Sequence, residues 1–157
     1  MGVQEDYRGP IKLLIELEST IADLYRVFAQ KFPEWGDFWN GLVGEEHDHA
    51  GMLLTMITDD KVMSGFNPDR FDIDTIVRYL GLVRQKLEAA GNGEMTILEA
   101  LTAASDIERG LVERNFYTVF KGDGAGARET FTKISQQTKN HGEKVRQAME
   151  RYKKKAI

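Results

Sequence analysis

The chain has 157 residues, a length that fits a single domain with its own hydrophobic core, and 41% of the residues are hydrophobic. Its net charge of -4 offers no basic surface for nucleic acid. No apolar run approaches the ~20 residues of a membrane span, and the polar residues 1–10 lack the apolar segment of a signal peptide. We therefore expect a cytoplasmic protein that contacts neither nucleic acid nor membrane.

The absence of cysteine is the most restrictive feature of the composition. It excludes disulfides, zinc–thiolate sites, iron–sulfur clusters and thiol catalysis within this sequence. Any metal site must then be built from carboxylates and from the three histidines, which are His47, His49 and His141.

Helical periodicity extends along nearly the whole chain, and no stretch shows the sustained alternation of a strand. We predict four main helices, at residues 10–31, 33–58, from 96 to the glycine-rich segment 122–126, and 128–154, with a shorter helix at 73–90. Pro10 and Pro33 suit first helical turns, and Thr96 followed by Glu99 forms a capping box. The sequence therefore predicts an all-α protein with residues 1–157 in one domain.

The second predicted helix carries a carboxylate and an imidazole in the middle of an apolar stripe. Glu46 and His49 are three residues apart and therefore share one face of a helix. The rest of the stripe consists of Trp39, Leu42, Leu53 and Met56. A charge at such a position is costly unless it is paired or binds a metal. A buried Glu–His pair would satisfy the pattern, but we favour metal ligation. We expect His47 in solvent, and Glu45 either in solvent or beside a metal ligand as a supporting carboxylate.

Similar residues interrupt the apolar stripes of the other three main helices. They are Glu18 in the first, Glu108 in the third and His141 in the fourth. Two helices joined by a tight turn run antiparallel, so residues equidistant from the turn meet at one level. Glu18 and Glu46 are each 14 residues from a turn at Phe32. The same relation holds for Glu108 and Thr138 about a turn in the glycine-rich segment.

The two halves of the chain repeat one pattern. Glu18, Glu46 and His49 in the first half correspond to Glu108, Thr138 and His141 in the second. We interpret this pattern as two copies of a helical hairpin joined by a long crossover. One glutamate from each of two helices and a Glu-x-x-His from each of the other two is the layout of a carboxylate-bridged di-metal bundle. In such a bundle the cations compensate the buried carboxylates, and each imidazole adds a neutral ligand.

Four segments resemble the rubrerythrin-like branch of the ferritin-like superfamily, namely residues 18–25, 45–50, 106–109 and 136–141. The resemblance implies a ferritin-like four-helix bundle whose single long crossover contains an extra short helix. It also implies two irons and an oxidoreductase that reduces hydrogen peroxide, reacts with dioxygen or oxidises ferrous iron. The cysteine-bearing rubredoxin-like module of full rubrerythrins is missing, so a separate electron-donor protein is the expected partner. Homodimers are common among such bundles.

The resemblance also assigns individual site residues. Glu18 and Glu108 match the terminal carboxylates, Glu46 matches one bridging carboxylate, and His49 and His141 match the histidines. Tyr25 matches the tyrosine that lies near the metals in this family, and it is therefore a candidate catalytic residue.

Two positions depart from the family pattern. Thr138 stands where the second bridging glutamate belongs, and Asn115 stands where the second half would carry a tyrosine. Gln137 is adjacent to Thr138 but lies roughly 100° around the helix, which makes it a poor substitute. Five protein ligands and one hydroxyl remain, enough to hold two metals together with water, one metal, or none tightly.

This departure keeps two hypotheses open beside the di-iron enzyme. One is a mononuclear zinc or manganese site formed by Glu18, Glu46 and His49. The other is a degenerate ferritin-like module that binds one metal or none and has a binding or structural role. The metal content of protein grown with iron distinguishes the enzyme from the degenerate module. About two irons per chain would support the enzyme, whereas substoichiometric metal that Glu46→Ala leaves unchanged would support the module.

Overall fold

In a computed structural model of the chain, residues 9–64, 66–120 and 122–155 are described. Within these ranges the chain forms six α-helices, two 3-10 turns and no strand, which confirms the predicted all-α class. The α-helices are α1 Gly9–Lys31, α2 Gly36–Thr58, α3 Asp60–Met63, α4 Ile73–Asn92, α5 Ile97–Glu113 and α6 Ala125–Lys155. The 3-10 turns are Pro33–Trp35 and Pro68–Arg70. Among the described helices, none combines the length and hydrophobicity needed to cross a membrane.

Helices α1 and α2 form a hairpin that contributes many of the large buried side chains. The chain reverses at Phe32, whose backbone N–H donates to the carbonyl of Phe28 at 2.9 Å. The rings of Phe28 and Trp39 then pack across the two helices with centroids 4.9 Å apart. Helix α4 also packs against α1. Because α1 is covered by two helices, it buries Leu17 and Leu24 in addition to the predicted stripe.

Helices α5 and α6 form a second hairpin, and α6 also packs against α2. Helix α5 begins with the predicted capping box. The Thr96 hydroxyl accepts from the backbone N–H of Glu99 at 3.1 Å, and the Thr96 backbone N–H donates to the Glu99 carboxylate at 2.8 Å. This exchange satisfies two donors that a helix N-terminus otherwise leaves unpaired.

The prediction that the third main helix continues to the glycine-rich segment is wrong. Helix α5 ends at Glu113, and Asn115 adopts a left-handed backbone conformation with a φ of 55°. Asparagine tolerates this conformation because its short polar side chain can hydrogen-bond locally. Residues 114–120 form an irregular segment instead. The change of direction allows Tyr117 to enter the core, where only 4% of it is exposed.

The side chain of Arg70 links this irregular segment to Asp123. Arg70 donates hydrogen bonds to the carboxylate of Asp123 and to the carbonyl of Thr118. Its guanidinium also lies 4.2 Å from the centroid of the Phe120 ring, a cation–π contact. These contacts surround the segment that carries Tyr117 and thereby fix its position in the core.

Candidate metal centre

Four helices contribute the five side chains that the sequence singles out as metal ligands. They are Glu18 of α1, Glu46 and His49 of α2, Glu108 of α5, and His141 of α6. Each of these residues is at most 1% exposed. The structure therefore brings the five predicted ligands together in the core, while their binding of a metal stays a prediction.

Glu46 lies between the two histidines and presents a different oxygen to each. Its Oε2 is 3.3 Å from Nδ1 of His49, and its Oε1 accepts a hydrogen bond from Nδ1 of His141 at 2.9 Å. The imidazole rings are nearly parallel, with centroids 5.2 Å apart. One donor atom from each of the three residues lies within 4.8 Å of the other two. This geometry is suited to a carboxylate shared between two cations.

Each histidine also has a second carboxylate beside it, so the cluster divides into two parts. Oε2 of Glu18 is 3.7 Å from Nδ1 of His49, and Oε1 of Glu108 is 3.7 Å from Nδ1 of His141. We call Glu18, His49 and Oε2 of Glu46 the first half-site. We call Glu108, His141 and Oε1 of Glu46 the second half-site. Each half-site offers one imidazole nitrogen and oxygens from two carboxylates.

All five predicted ligands carry a buried polar atom without a hydrogen-bond partner among the described residues. These atoms are Oε2 of Glu18, Glu46 and Glu108, Nδ1 of His49 and Nε2 of His141. Leaving a buried polar atom unpaired costs about 1–3 kcal/mol. Five such atoms close together are therefore unusual for a purely structural network. A cation between the carboxylates would satisfy four of them, because Nε2 of His141 faces outward to Glu45.

The outer nitrogen of His49 is held by Gln137, a residue that was not predicted to belong to the site. Nε2 of His49 donates to the side-chain oxygen of Gln137 at 2.9 Å. An amide oxygen can only accept, so Nε2 keeps its proton and Nδ1 is the atom free to bind a cation. Gln137 is indeed a poor substitute for a bridging carboxylate, but it orients the histidine that such a carboxylate would neighbour.

The outer nitrogen of His141 faces a carboxylate in the same way. Nε2 of His141 lies 2.7 Å from Oε2 of Glu45, although the two atoms do not meet with hydrogen-bond geometry. The other oxygen of Glu45 accepts from Lys144 at 2.8 Å. Glu45 was expected either in solvent or beside a metal ligand, and with 38% of its side chain exposed it lies beside His141. Glu45 and Gln137 each precede a motif position by one residue, and this shared offset is the signal that could have identified them.

Two tyrosines donate to the terminal glutamates, each across to the other half of the chain. The hydroxyl of Tyr25 donates to Oε1 of Glu108 at 2.7 Å, and that of Tyr117 donates to Oε1 of Glu18. Burial raises the pKa of both phenols well above its usual value, and the neighbouring carboxylates raise it further. Both hydroxyls therefore stay protonated as donors. The sequence missed Tyr117, because it assigned the equivalent position to Asn115, which is exposed.

The position of the missing bridging glutamate is buried but contributes no charge. Thr138 is 2% exposed, and its hydroxyl donates to the carbonyl of Ile134 in the preceding turn at 2.8 Å. A threonine hydroxyl on a helix commonly satisfies itself in this way. The cluster therefore contains three core carboxylates, from Glu18, Glu46 and Glu108, instead of four.

The two imidazoles hold protons strongly in this environment. Burial by itself lowers the pKa of His49, but Glu18 and Glu46 outweigh it and raise the pKa to about 11. Burial also lowers the pKa of His141, and Glu108 and Glu46 raise it to about 10. Both rings are therefore cationic at neutral pH when no other cation is bound, and a metal ion must displace their protons.

The shared carboxylate is the least well compensated of the acidic groups. Burial raises the pKa of Glu46 well above its usual range, and the charges of Glu18 and Glu108 raise it further. Burial also raises the pKa of Glu18, but its contacts with Glu46 and His49 outweigh that effect and lower it. Additional positive charge beside Glu46 would therefore stabilise the cluster.

No known family model matches this chain, and no curated protein or solved structure is significantly similar to it. The resemblance to rubrerythrin-like proteins thus stays a prediction. The case for a metal centre depends on the geometry of the cluster itself, which is the same whatever family the chain belongs to.

Proposed function

We propose that this protein binds divalent transition-metal ions, iron above all, in the buried cluster and uses them in an oxidoreductase reaction with hydrogen peroxide or dioxygen. We further propose that α1, α2, α5 and α6 form a ferritin-like four-helix bundle, with α4 in the crossover. The observation that carries the proposal is the convergence of five buried carboxylate and imidazole side chains from four separate helices. Four polar atoms of this cluster have no hydrogen-bond partner among the described residues, namely Oε2 of Glu18, Glu46 and Glu108 and Nδ1 of His49.

The donor set fits such ions. Carboxylate oxygens and imidazole nitrogens suit Fe(II), Mn(II) and Zn(II), and the absence of thiolates removes the softer alternatives. The shared position of Glu46 supports two ions, one in each half-site. With Thr138 in place of a second bridging group, the first half-site alone would hold a mononuclear zinc or manganese ion.

The chain's own residues have distinct parts in this proposal. A bound iron pair would supply the electron transfer that peroxide or dioxygen chemistry requires. Gln137 and Glu45 hold the imidazoles, and Tyr117 holds Glu18, so the ligands are positioned before an ion arrives. Tyr25 keeps a proton at Oε1 of Glu108, where it is available to a reacting oxygen. Burial of all ligands excludes bulk water from the site.

Reduction of hydrogen peroxide or dioxygen requires electrons, which ferrous iron supplies when it is the substrate and a donor protein supplies otherwise. This sequence contains no cysteine with which to hold an iron–sulfur centre of its own. We therefore place a separate electron-donor protein among the partners, with hydrogen peroxide, dioxygen or ferrous iron as substrates. Consumption of peroxide by the iron-loaded protein in the presence of a chemical reductant is the direct measurement of this activity.

A second candidate function is a metal-free structural module. It is favoured by the hydrogen bond between His141 and Glu46 and by the bond from Thr138 to its own helix, which satisfy part of the cluster internally. In that case the cluster would be a network of buried ion pairs. Such networks contribute little net stability, and removing one partner from them is costly.

The deciding experiment compares two histidines that lie two residues apart on α2. We expect the protein loaded anaerobically with Fe(II), then desalted, to retain about two ions per chain by elemental analysis, as in bundles of this layout. His49→Ala should lose most of the metal. His47→Ala is the matched control, because His47 is exposed and contacts Arg26, outside the cluster.

Thermal unfolding gives an independent test of the same proposal. An ion at 100 times its dissociation constant should stabilise the wild-type protein and His47→Ala by about 2.7 kcal/mol, and His49→Ala much less. Equal metal contents in the two variants, or no stabilisation of the wild type by Fe(II), Mn(II) or Zn(II), would favour the structural module.

A further inference from the structure

A cavity of about 330 Å³ lies between the irregular segment and α6. Its inner wall includes Thr138 and Tyr117, which are both buried, and its outer wall includes the exposed Gln136 and Lys139. The cavity therefore extends from the protein surface inward to the position of the missing glutamate.

Two residues of the inner wall link this cavity to the cluster, although none of the five predicted ligands lines it. Tyr117 donates its hydroxyl to Glu18, a member of the first half-site. Thr138 lies three residues before His141 on α6, so the two side chains share one helical face. A small molecule at the inner wall would thus contact a residue bonded to the first half-site and a residue on the helical face that carries the histidine of the second.

The charge of the cluster indicates what such a molecule should be. Three core carboxylates cannot neutralise two divalent cations, and one positive charge remains in a site removed from water. An uncompensated charge in that environment is costly. A glutamate at position 138 would neutralise it, whereas Thr138 brings no charge and its hydroxyl proton is committed to Ile134.

We propose that the cavity admits a small carboxylate anion, of the size of formate or acetate, which takes the place of the missing glutamate side chain and completes the charge of the metal pair. This inference rests on the proposed function. The lining supports it: hydroxyl groups of Thr118, Thr132 and Ser135 and the amide of Gln136 can donate to an anion, and Lys139 carries a positive charge. A carboxylate is the expected class because the group that it replaces is a carboxylate.

The test is a titration of the protein with Mn(II), in chloride buffer and in the same buffer with formate replacing part of the chloride at constant ionic strength. Electron paramagnetic resonance and equilibrium dialysis count the bound ions. We expect the first ion to bind equally in both buffers. The second ion should bind at least about tenfold more tightly with formate, because formate supplies a charge-assisted ligand. Equal affinity of the second ion in both buffers would overturn the inference, whereas failure of any ion to bind would overturn the proposed function instead.

Two variants test the inference further, one by supplying the carboxylate from the chain and the other by filling the cavity. Thr138→Glu supplies the carboxylate from the chain, so its second ion should bind tightly without formate and show no response to it. Ser135→Leu fills the cavity, so it should keep the first ion and lose the formate effect. Its matched control is Ser105→Leu, at a half-buried serine on α5 that does not line the cavity.

A formate effect of undiminished size in Ser135→Leu would show that the anion acts elsewhere and would overturn the inference. The two variants act through different residues, so Ser135→Leu still tests the cavity if Thr138→Glu does not fold. Loss of the formate effect in Ser135→Leu, with its retention in Ser105→Leu, would support the cavity as the entry site.

Discussion

The first hairpin, formed by α1 and α2, and the second hairpin, formed by α5 and α6, share one arrangement of glutamate, histidine and tyrosine but differ in the residues around it. Each places a glutamate on its first helix and a histidine on its second, and each sends a tyrosine to the glutamate of the other hairpin. The first hairpin has Glu46 and Glu45 where the second has Thr138 and Gln137. The first hairpin therefore contributes the shared negative charge, and the second contributes neutral groups at the same positions.

In this arrangement one carboxylate, that of Glu46, contacts the histidines of both hairpins. One side chain therefore serves both half-sites. Gln137 of the second hairpin in turn contacts His49 of the first. The asymmetry should make the first half-site the tighter of the two, since its donor atoms Glu18 Oε2, Glu46 Oε2 and His49 Nδ1 all lack other partners.

The largest expected effect comes from removing the shared carboxylate. Glu46→Ala should weaken binding of both ions by more than about 100-fold, because loss of a ligand exceeds the 10–100-fold effect of losing an outer-shell partner. Glu45→Ala should have a smaller effect, confined to the second half-site. Equilibrium dialysis with Mn(II) measures both. Equal losses in the two variants would contradict the helical register of α2.

A neutral replacement of the same residue separates a metal site from a structural ion pair. Glu46→Gln should raise the free energy of unfolding in the presence of chelator at neutral pH, because burial and the neighbouring carboxylates raise the pKa of Glu46 and disfavour its charged form. If Glu46 served mainly as a structural partner of His141, the same change would destabilise the protein. Urea unfolding in excess chelator gives the sign.

The next effect is a strong dependence of metal affinity on pH. The raised pKa values of about 11 for His49 and about 10 for His141 mean that each imidazole releases a proton when a cation binds. Affinity should therefore rise by up to about 100-fold per pH unit for the pair of ions below pH ~10, rise less steeply between the two pKa values, and level off above pH ~11. Calorimetry in two buffers of different ionisation enthalpy counts the protons, and binding that releases none would contradict the assignment.

The same pKa values determine whether the metal-free protein gains or loses stability as the pH rises. A histidine whose pKa is raised by folding contributes stability that is complete below its unfolded pKa of about 6.5. That contribution is lost as pH rises through the folded values of about 10 and about 11. The chelated protein should thus lose stability from these histidines toward alkaline pH, while the metal-loaded protein gains affinity over the same range.

Much of this arrangement could be predicted because it depends on local periodicity. The ligand positions interrupt apolar stripes, and the turn near Phe32 joins two helices of equal length, so the level of Glu18 opposite Glu46 follows from counting. The start of α5 also follows from a local signal, the capping box at Thr96, although its end does not. These features need no knowledge of which helices pack together.

The remaining features depend on tertiary structure. Tyr117 reaches Glu18 only because Asn115 turns the chain out of α5. An asparagine within a helical pattern does not by itself predict a left-handed backbone conformation. The contacts of Glu45 and Gln137 depend on how α2 faces α6. Helical periodicity places both residues beside the buried stripe, but it does not say whether solvent or another helix lies there.

A smaller effect should distinguish the outer contacts of the two hairpins. Gln137→Ala should weaken the first half-site and Glu45→Ala the second, each by about tenfold, because each removes the group that orients a histidine. Each outer residue thus acts on the histidine of the opposite hairpin. Sequential binding constants for Mn(II) would show which half-site each variant weakens. An effect confined to the histidine of a residue's own hairpin would contradict the observed contacts.

The smallest effect concerns the turn that replaces the last part of the third main helix. Asn115→Ala should lower the free energy of unfolding by about 1 kcal/mol, because a side chain that cannot hydrogen-bond locally disfavours a φ of 55°. Asn115→Gly should change it by less than about 0.5 kcal/mol, since glycine adopts this conformation freely. Urea unfolding of both variants in chelator measures the difference. The equivalent part of the first hairpin is continuous helix around Tyr25, so only the second hairpin should favour glycine over alanine, and a preference for alanine at position 115 would indicate that the helix continues as the sequence pattern predicted.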